Sequence, residues 1–256
     1  MPDLSIHYTD LLTEVGAFLG YGSDYVTLTA NQLAEVDRYV QAGVRQFYYP
    51  PAAEGVESGY EWSFLKPSAV LETVAGEGAT ALPSDFGRLV GDFFFESSLH
   101  REPIVQVSEG RLQTLRQKTS NDAPPRLAAI RYIEQEEGES HVQEVLWWPV
   151  PNAVYELSYR YEANSGKLSE ANPYPLGGMK YSELVLESCL AVAEQRANDE
   201  RGMHTELFLR MLSSTIAQDR RHGARYFGSM GGLGASTVPR RLMGSSYNVT
   251  YKGETW

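Results

Sequence analysis

The sequence predicts an α+β protein. Its expected architecture is a helical-bundle body of about four helices, an inserted antiparallel β-rich region and an extended C-terminal arm. Three observations carry this. Apolar residues recur at helical spacing in an early and a late part of the chain. Between them, apolar and polar residues alternate, as in half-buried strands. After Phe227 glycine and serine dominate, yet aromatic anchors persist.

The elements follow in order. Leu11, Leu12, Val15, Phe18 and Leu19 predict a first helix over residues 8–19. Leu33, Val36, Val40, Val44 and Phe47 form one stripe of a second helix over residues 30–48. Thr29 with Gln32 three residues on makes a capping box, and Pro50-Pro51 stops the helix. The pattern then changes. Tyr60-Glu-Trp62-Ser-Phe64 alternates and reads as a strand, and the segments 70–74, 89–95 and 102–107 are extended. Ser108 caps a short helix running to Lys118. Segments 127–133 and 142–148 pair across an acidic turn, Glu136-Glu-Gly-Glu139. In the next strand Tyr155, Leu157, Tyr159 and Tyr161 alternate with Glu156, Ser158, Arg160 and Glu162, one face aromatic and the other polar.

A proline-rich loop, Asn172 to Gly178, leads back to helix. Leu186, Cys189, Leu190, Ala193 and Ala197 predict a third body helix with one apolar stripe. Gly202 breaks it, and Leu207, Phe208, Met211, Leu212, Thr215 and Ile216 continue in a fourth. The polar stretch from Asp219 to Arg225 reads as a helix end projecting into solvent. The expected segments are thus 1–57 and 166–228 for the helical body, 58–165 for the β-rich insertion and 229–256 for the arm. Each helix has one apolar face, so the four bury those faces together.

Composition narrows the function. The 256 residues include 16 tyrosines and 4 tryptophans, an aromatic content suited to buried surfaces. The net charge is −11, unevenly spread. From residue 220 onward Arg220, Arg221, Arg225, Arg240, Arg241 and Lys252 face Glu254 alone, so this end carries +5 and residues 1–219 carry −16 of the total of −11. An acidic body repels phosphates and disfavours tight nucleic-acid binding. The single cysteine, Cys189, permits no internal disulfide, consistent with a reducing compartment. No basic region followed by an apolar stretch marks a signal peptide. No run approaches membrane-spanning length, so no membrane partner is expected.

No catalytic constellation emerges. His7, His100, His141, His204 and His222 show no metal-ligand spacing. The glycines of residues 228–234 follow a helix instead of a strand, and no Gly-Lys-Ser/Thr follows, so they do not form a phosphate loop. Ser63-Phe-Leu-Lys66 matches a nucleophile pair without its companion motifs. Glu134, Glu136, Glu137 and Glu139 form an acidic turn with no aromatic sugar platform in the same segment. No catalytic residue, cofactor or metal is expected.

The segment after Phe227 carries the functional expectation. It is rich in glycine and serine, yet holds Val238, Leu242, Met243, Tyr247, Val249, Tyr251 and Trp256. Such an arm buries little against itself and is suited to ordering on a partner.

Three stretches resemble the head-to-tail adaptor proteins of tailed bacteriophages, a group that includes the podovirus tail-tubular adaptors. They are Leu82-Pro-Ser-Asp-Phe86, the run from Trp147 to Tyr161, and the run from Leu168 to Gly178 followed by Ser182 to Glu194. The resemblance implies a virion structural protein made in the host cytoplasm. It implies a homo-oligomeric ring, usually of twelve copies, that joins the capsid portal to a tail or nozzle protein. It implies passage of genomic DNA without sequence-specific binding, and a C-terminal extension docked on the portal. The portal-binding residues expected from the arm are Arg220, Arg221, Arg225, Tyr226, Phe227, Val238, Arg240, Arg241, Leu242, Tyr247, Tyr251 and Trp256. The alternatives are another neck or tail-completion protein and a tail-associated glycan hydrolase.

Overall fold

A computed structural model describes residues 4–52, 59–118, 122–133, 142–222, 250–251 and 254–255; for residues 222, 250–251 and 254–255 it describes the backbone alone. The chain divides into Met1–Gly223 and a C-terminal unit, Ala224–Trp256. The described helices are α1 (Tyr8–Phe18), α2 (Ala30–Tyr48), α3 (Glu109–Lys118), α4 (Ser182–Asn198) and α5 (Met203–His222). The strands are β1 (Ser68–Glu72), β2 (Ala79–Ala81), β3 (Phe86–Leu89), β4 (Phe94–Phe95), β5 (Val105–Gln106), β6 (Leu127–Tyr132), β7 (Gln143–Trp148) and β8 (Glu156–Ala163). A two-residue pair, β9 (Thr250–Tyr251) and β10 (Glu254–Thr255), lies in the C-terminal unit.

Side chains of α1, α2, α4 and α5 meet in one apolar core. Leu11 and Val15, Val40 and Phe47, Val185 and Cys189, and Phe208 and Leu212 are among its fully buried members. The capping box forms as the sequence predicts: Gln32 N–H donates to Thr29 Oγ1 and Thr29 N–H to Gln32 Oε1. Helix α2 packs directly on α4. A Cβ built at Gly43 would stand 2.5 Å from Cys189 Cα, so only glycine permits this approach of the two backbones. Ser188 Oγ donates to the Gly43 carbonyl at 2.8 Å and closes the crossing.

Helix α4 departs from its predicted single stripe. Every residue from Leu184 to Ala193 except Leu186 is buried, and Ala197 is exposed. The helix packs against α1, α2 and α5, so it is central and apolar on several sides. A helix surrounded by others has no solvent face to keep polar.

The segment predicted as a strand at 60–64 is also different. It leads into a 3-10 turn at Ser63–Leu65. Trp62 stacks within 5.5 Å of Phe64 and Phe64 sits 4.9 Å from Tyr181, all packed on the helical core. Trp62 Nε1 donates to the Phe47 carbonyl at 2.8 Å. The alternation here marks aromatic anchors seated in a helical groove. The Ser63 N–H, which a neighbouring strand would have bonded, is satisfied by a carboxylate of α5.

The remaining strands form two sheets. In one, β8 lies between β1 on one side and β3 with β4 on the other, all antiparallel. The other runs β2-β7-β6-β5. Its β5–β6 pair is parallel, which corrects the expectation of a purely antiparallel region. The inner faces share a core of Phe86, Phe93, Val145, Trp147, Leu157 and Tyr159. The predicted aromatic face of β8 is buried along its length, and its polar face is turned outward. Helix α3 covers the back of the second sheet, where Leu112 packs on Ala129 and Leu146. A bulge at Gly87 shifts the β3–β8 register; a Cβ there would stand 2.8 Å from the Glu162 carbonyl oxygen.

Candidate functional site

The sequence places the expected docking residues beyond α5, so the geometry of that helix sets where they begin. Both of its ends are held by buried carboxylates. At its N-terminus the helix leaves backbone N–H groups without helical partners. Glu194 of α4, 7 % exposed, reaches them: it accepts from Gly202 N at 3.2 Å, Thr205 N at 3.0 Å and Thr205 Oγ1 at 3.1 Å, with His204 N at 3.4 Å. Burial alone would raise its pKa, but these donors outweigh burial and hold it below the usual value. Next to it, His204 Nδ1 lies 2.9 Å from Glu187 Oε2.

The last turn carries Asp219. The sequence predicts the stretch from Asp219 to Arg225 as projecting into solvent; Arg220 and Arg221 are exposed, but Asp219 departs from this and is 2 % exposed. Its Oδ2 accepts from Tyr60 Oη at 2.7 Å and Ser63 N at 2.9 Å; its Oδ1 accepts from Ser63 Oγ at 2.5 Å and Tyr181 Oη at 3.1 Å. Burial pushes the Asp219 pKa up, and the bonds from Ser63, Tyr60 and Tyr181 more than reverse this, so it lies below the usual carboxylate range. Tyr181 responds in the opposite sense, pushed up to about 12 by burial and by the charge and hydrogen bond of Asp219. A signal for this site was present in the sequence. Asp219 continues the buried stripe Phe208, Leu212, Ile216, so it falls on the inward face of the helix.

Of the expected docking residues, Arg220 and Arg221 have described side chains. Both are exposed. Arg220 lies over the Tyr60 ring at 5.4 Å, so it belongs to the Asp219 cluster. Tyr251 is described only as backbone of β9. Arg225, Tyr226, Phe227, Val238, Arg240, Arg241, Leu242, Tyr247 and Trp256 lie outside the described residues, as does the acidic turn at 136–139.

The Ser63–Lys66 pair is not assembled for chemistry. Ser63 Oγ is bonded to Asp219, and Lys66 Nζ is paired with Glu61 at 2.8 Å. Among the described residues no group of three or more His, Cys, Asp and Glu side chains is placed to hold a metal ion, and no helix is long and apolar enough to cross a membrane. Burial raises the Cys189 pKa and keeps the thiol protonated.

Buried carboxylates used as anchors, two sheets around an aromatic core and a central helix define an α+β protein. The particular family is shown by sequence: the model of the SU10 adaptor protein family matches residues 6–231, and the chain belongs to that family. It is accordingly a phage adaptor, a structural component of the virion, and the family implies interaction with portal and tail proteins. No curated protein matches the chain.

Proposed function

We propose that this adaptor closes into a ring, twelve copies by the resemblance, at the head-to-tail interface. The ring joins the portal to a tail or nozzle protein and continues the DNA channel. The family match over residues 6–231 carries the reading. Residues 232–256 lie beyond that match and hold most of the expected anchors. In the proposed mechanism the segment from 229 onward orders on the portal, with Tyr247, Tyr251 and Trp256 buried and Arg240 and Arg241 paired with acidic portal groups. Coupling order to binding restricts attachment to the correct partner. The acidic charge of residues 1–219 suits a passage that lets DNA move without sticking.

The test is to mix the purified protein with the portal of the same virion and determine the mass and image averages of the product. A stoichiometric ring is expected. Deleting residues 229–256 should leave a folded body that no longer joins the portal. Normal portal binding by the truncated chain would overturn the assigned role of the arm.

A further inference from the structure

The described part of Met1–Gly223 builds two layers with separate cores. The helical core draws on α1, α2, α4 and α5 together with Trp62, Leu65 and Leu168. The core between the sheets and the cluster under α3 share no residue with it. The chain passes between the layers twice. On the way out, Leu65 is seated in the helical core and β1 starts at Ser68. On the way back, Ala163 ends β8 and Leu168 is again in the helical core.

Both crossings are short. They run side by side, because β1 and β8 are neighbouring antiparallel strands. Their ends are held. Pro67 belongs to the sheets, where its carbonyl accepts from Tyr161 N at 3.2 Å. Leu168 belongs to the helices: its N–H donates to Gln41 Oε1 at 3.1 Å, and its carbonyl accepts from Gln41 Nε2 at 2.8 Å. Lys66 and residues 164–166 lie between these holds as pivots. A Cβ at Gly166 would meet nothing within 4 Å, so this pivot has room to turn.

The junction itself is loosely filled. A hollow of about 330 Å³ lies there, with Tyr49 from the helical side and Phe86, Gly87, Arg88 and Glu162 from the sheets in its lining. Tyr49 Oη donates to Asn164 Oδ1 at 3.3 Å. Arg88 of β3 spans the junction. It pairs with Glu162 of β8 at 3.0 Å and, on the helical side, with Glu61. Glu61 stands between Tyr60 and Trp62, both packed on the helical core. The Arg88 and Glu61 side chains are 59 % and 39 % exposed, so their attraction is weak and screened by salt. A large apolar interface would lock two layers together; a small polar one leaves them free to move.

We infer that the two sheets swing on the helical layer about the paired crossings at Lys66 and Asn164–Gly166, and that the Arg88–Glu61 clasp holds the closed position. Such a hinge lets one layer stay seated on one partner while the other adjusts to a second. The inference concerns the single chain and stands apart from the ring proposed above.

Distances between spin labels on the full-length chain test it. Cys189 is the one cysteine and is fully buried, so labels go only to introduced thiols. Ala34→Cys in α2 and Arg111→Cys in α3 put one exposed label on each layer; Ala34→Cys with Ser214→Cys in α5 keeps both on the helical layer. One dominant distance is expected for the first pair at low salt. Adding Arg88→Ala, or raising the wild-type clasp to molar salt, should increase the share of a second distance by up to about fivefold. The pair within the helical layer should not change. An unchanged distribution for the first pair under both conditions would overturn the hinge. So would equal broadening of both pairs, which would mean that the whole fold had loosened.

Discussion

The helical layer and the β-sandwich solve the same packing problem with different chemistry. In the helical layer the buried polar groups are bonded from several directions: Asp219 by Tyr60, Ser63 and Tyr181, and Glu194 by the first turn of α5. In the sandwich the core is aromatic, with Phe93 5.2 Å from both Trp147 and Tyr159. There Tyr159 Oη is buried without a hydrogen-bond partner among the described residues. The difference teaches where geometry is specified. Hydrogen bonds fix direction, so the carboxylates lock both ends of α5 in place. Apolar burial fixes proximity, so the sandwich depends on ladder register and volume.

Substitutions can break or sharpen this comparison. The largest effect is expected in the sandwich for Trp147→Ala. This side chain is fully buried and its Nε1 donates to Thr80 Oγ1 at 2.9 Å. Urea denaturation should show a loss of about 4 kcal/mol. A loss under about 1 kcal/mol would mean that the sandwich core does not depend on it.

Asp219→Ala comes next, at about 3 kcal/mol, because it strands the buried Tyr181 hydroxyl and removes the shared acceptor of the part-buried Tyr60 and Ser63 donors. Its pH dependence identifies the mechanism. The folded pKa of Asp219 lies below its unfolded value of about 3.9, so its charged form contributes stability above that pH. That contribution fades as pH falls through the folded value. Asp219→Asn should therefore cost more at pH 7 than at pH 3. An equal cost at both would show that shape, and not the charged carboxylate, matters there.

Gly43→Ala should cost about 2 kcal/mol by forcing α2 and α4 apart. A shift in thermal midpoint reads this directly, and no shift would mean that the crossing has slack. The smallest effect is the most diagnostic. Tyr159→Phe removes a hydroxyl that is buried and unpartnered, so stability should stay level or rise by up to about 1 kcal/mol. A clear loss would show that the hydroxyl has a partner, and the contrast between the two layers would fall.

Much of the architecture was legible in sequence because it rests on local repeats. The stripe Val36–Val40–Val44–Phe47 and the alternation of Tyr155, Leu157, Tyr159 and Tyr161 report helix and strand from residues close together in the chain. The adaptor family was legible too, from the three stretches at 82–86, 147–161 and 168–194. The candidate site was less so. Arg220 was named from charge alone, and its ring partner, Tyr60, lies far upstream.

By itself the sequence determined the order of the helices, the capping box at Thr29, the aromatic face of β8 and the family. Each depends on periodicity or on residues a few positions apart. Only the tertiary structure decided that Asp219 turns inward, that Tyr60 to Phe64 joins a helical core, that α4 is surrounded and that β5 runs parallel to β6. Ser63 and Asp219 stand 156 positions apart, and no local pattern encodes a bond across that span. Burial works against a charged carboxylate, and it is tolerated at Asp219 because enough donors converge there to replace water; convergence is a property of the fold.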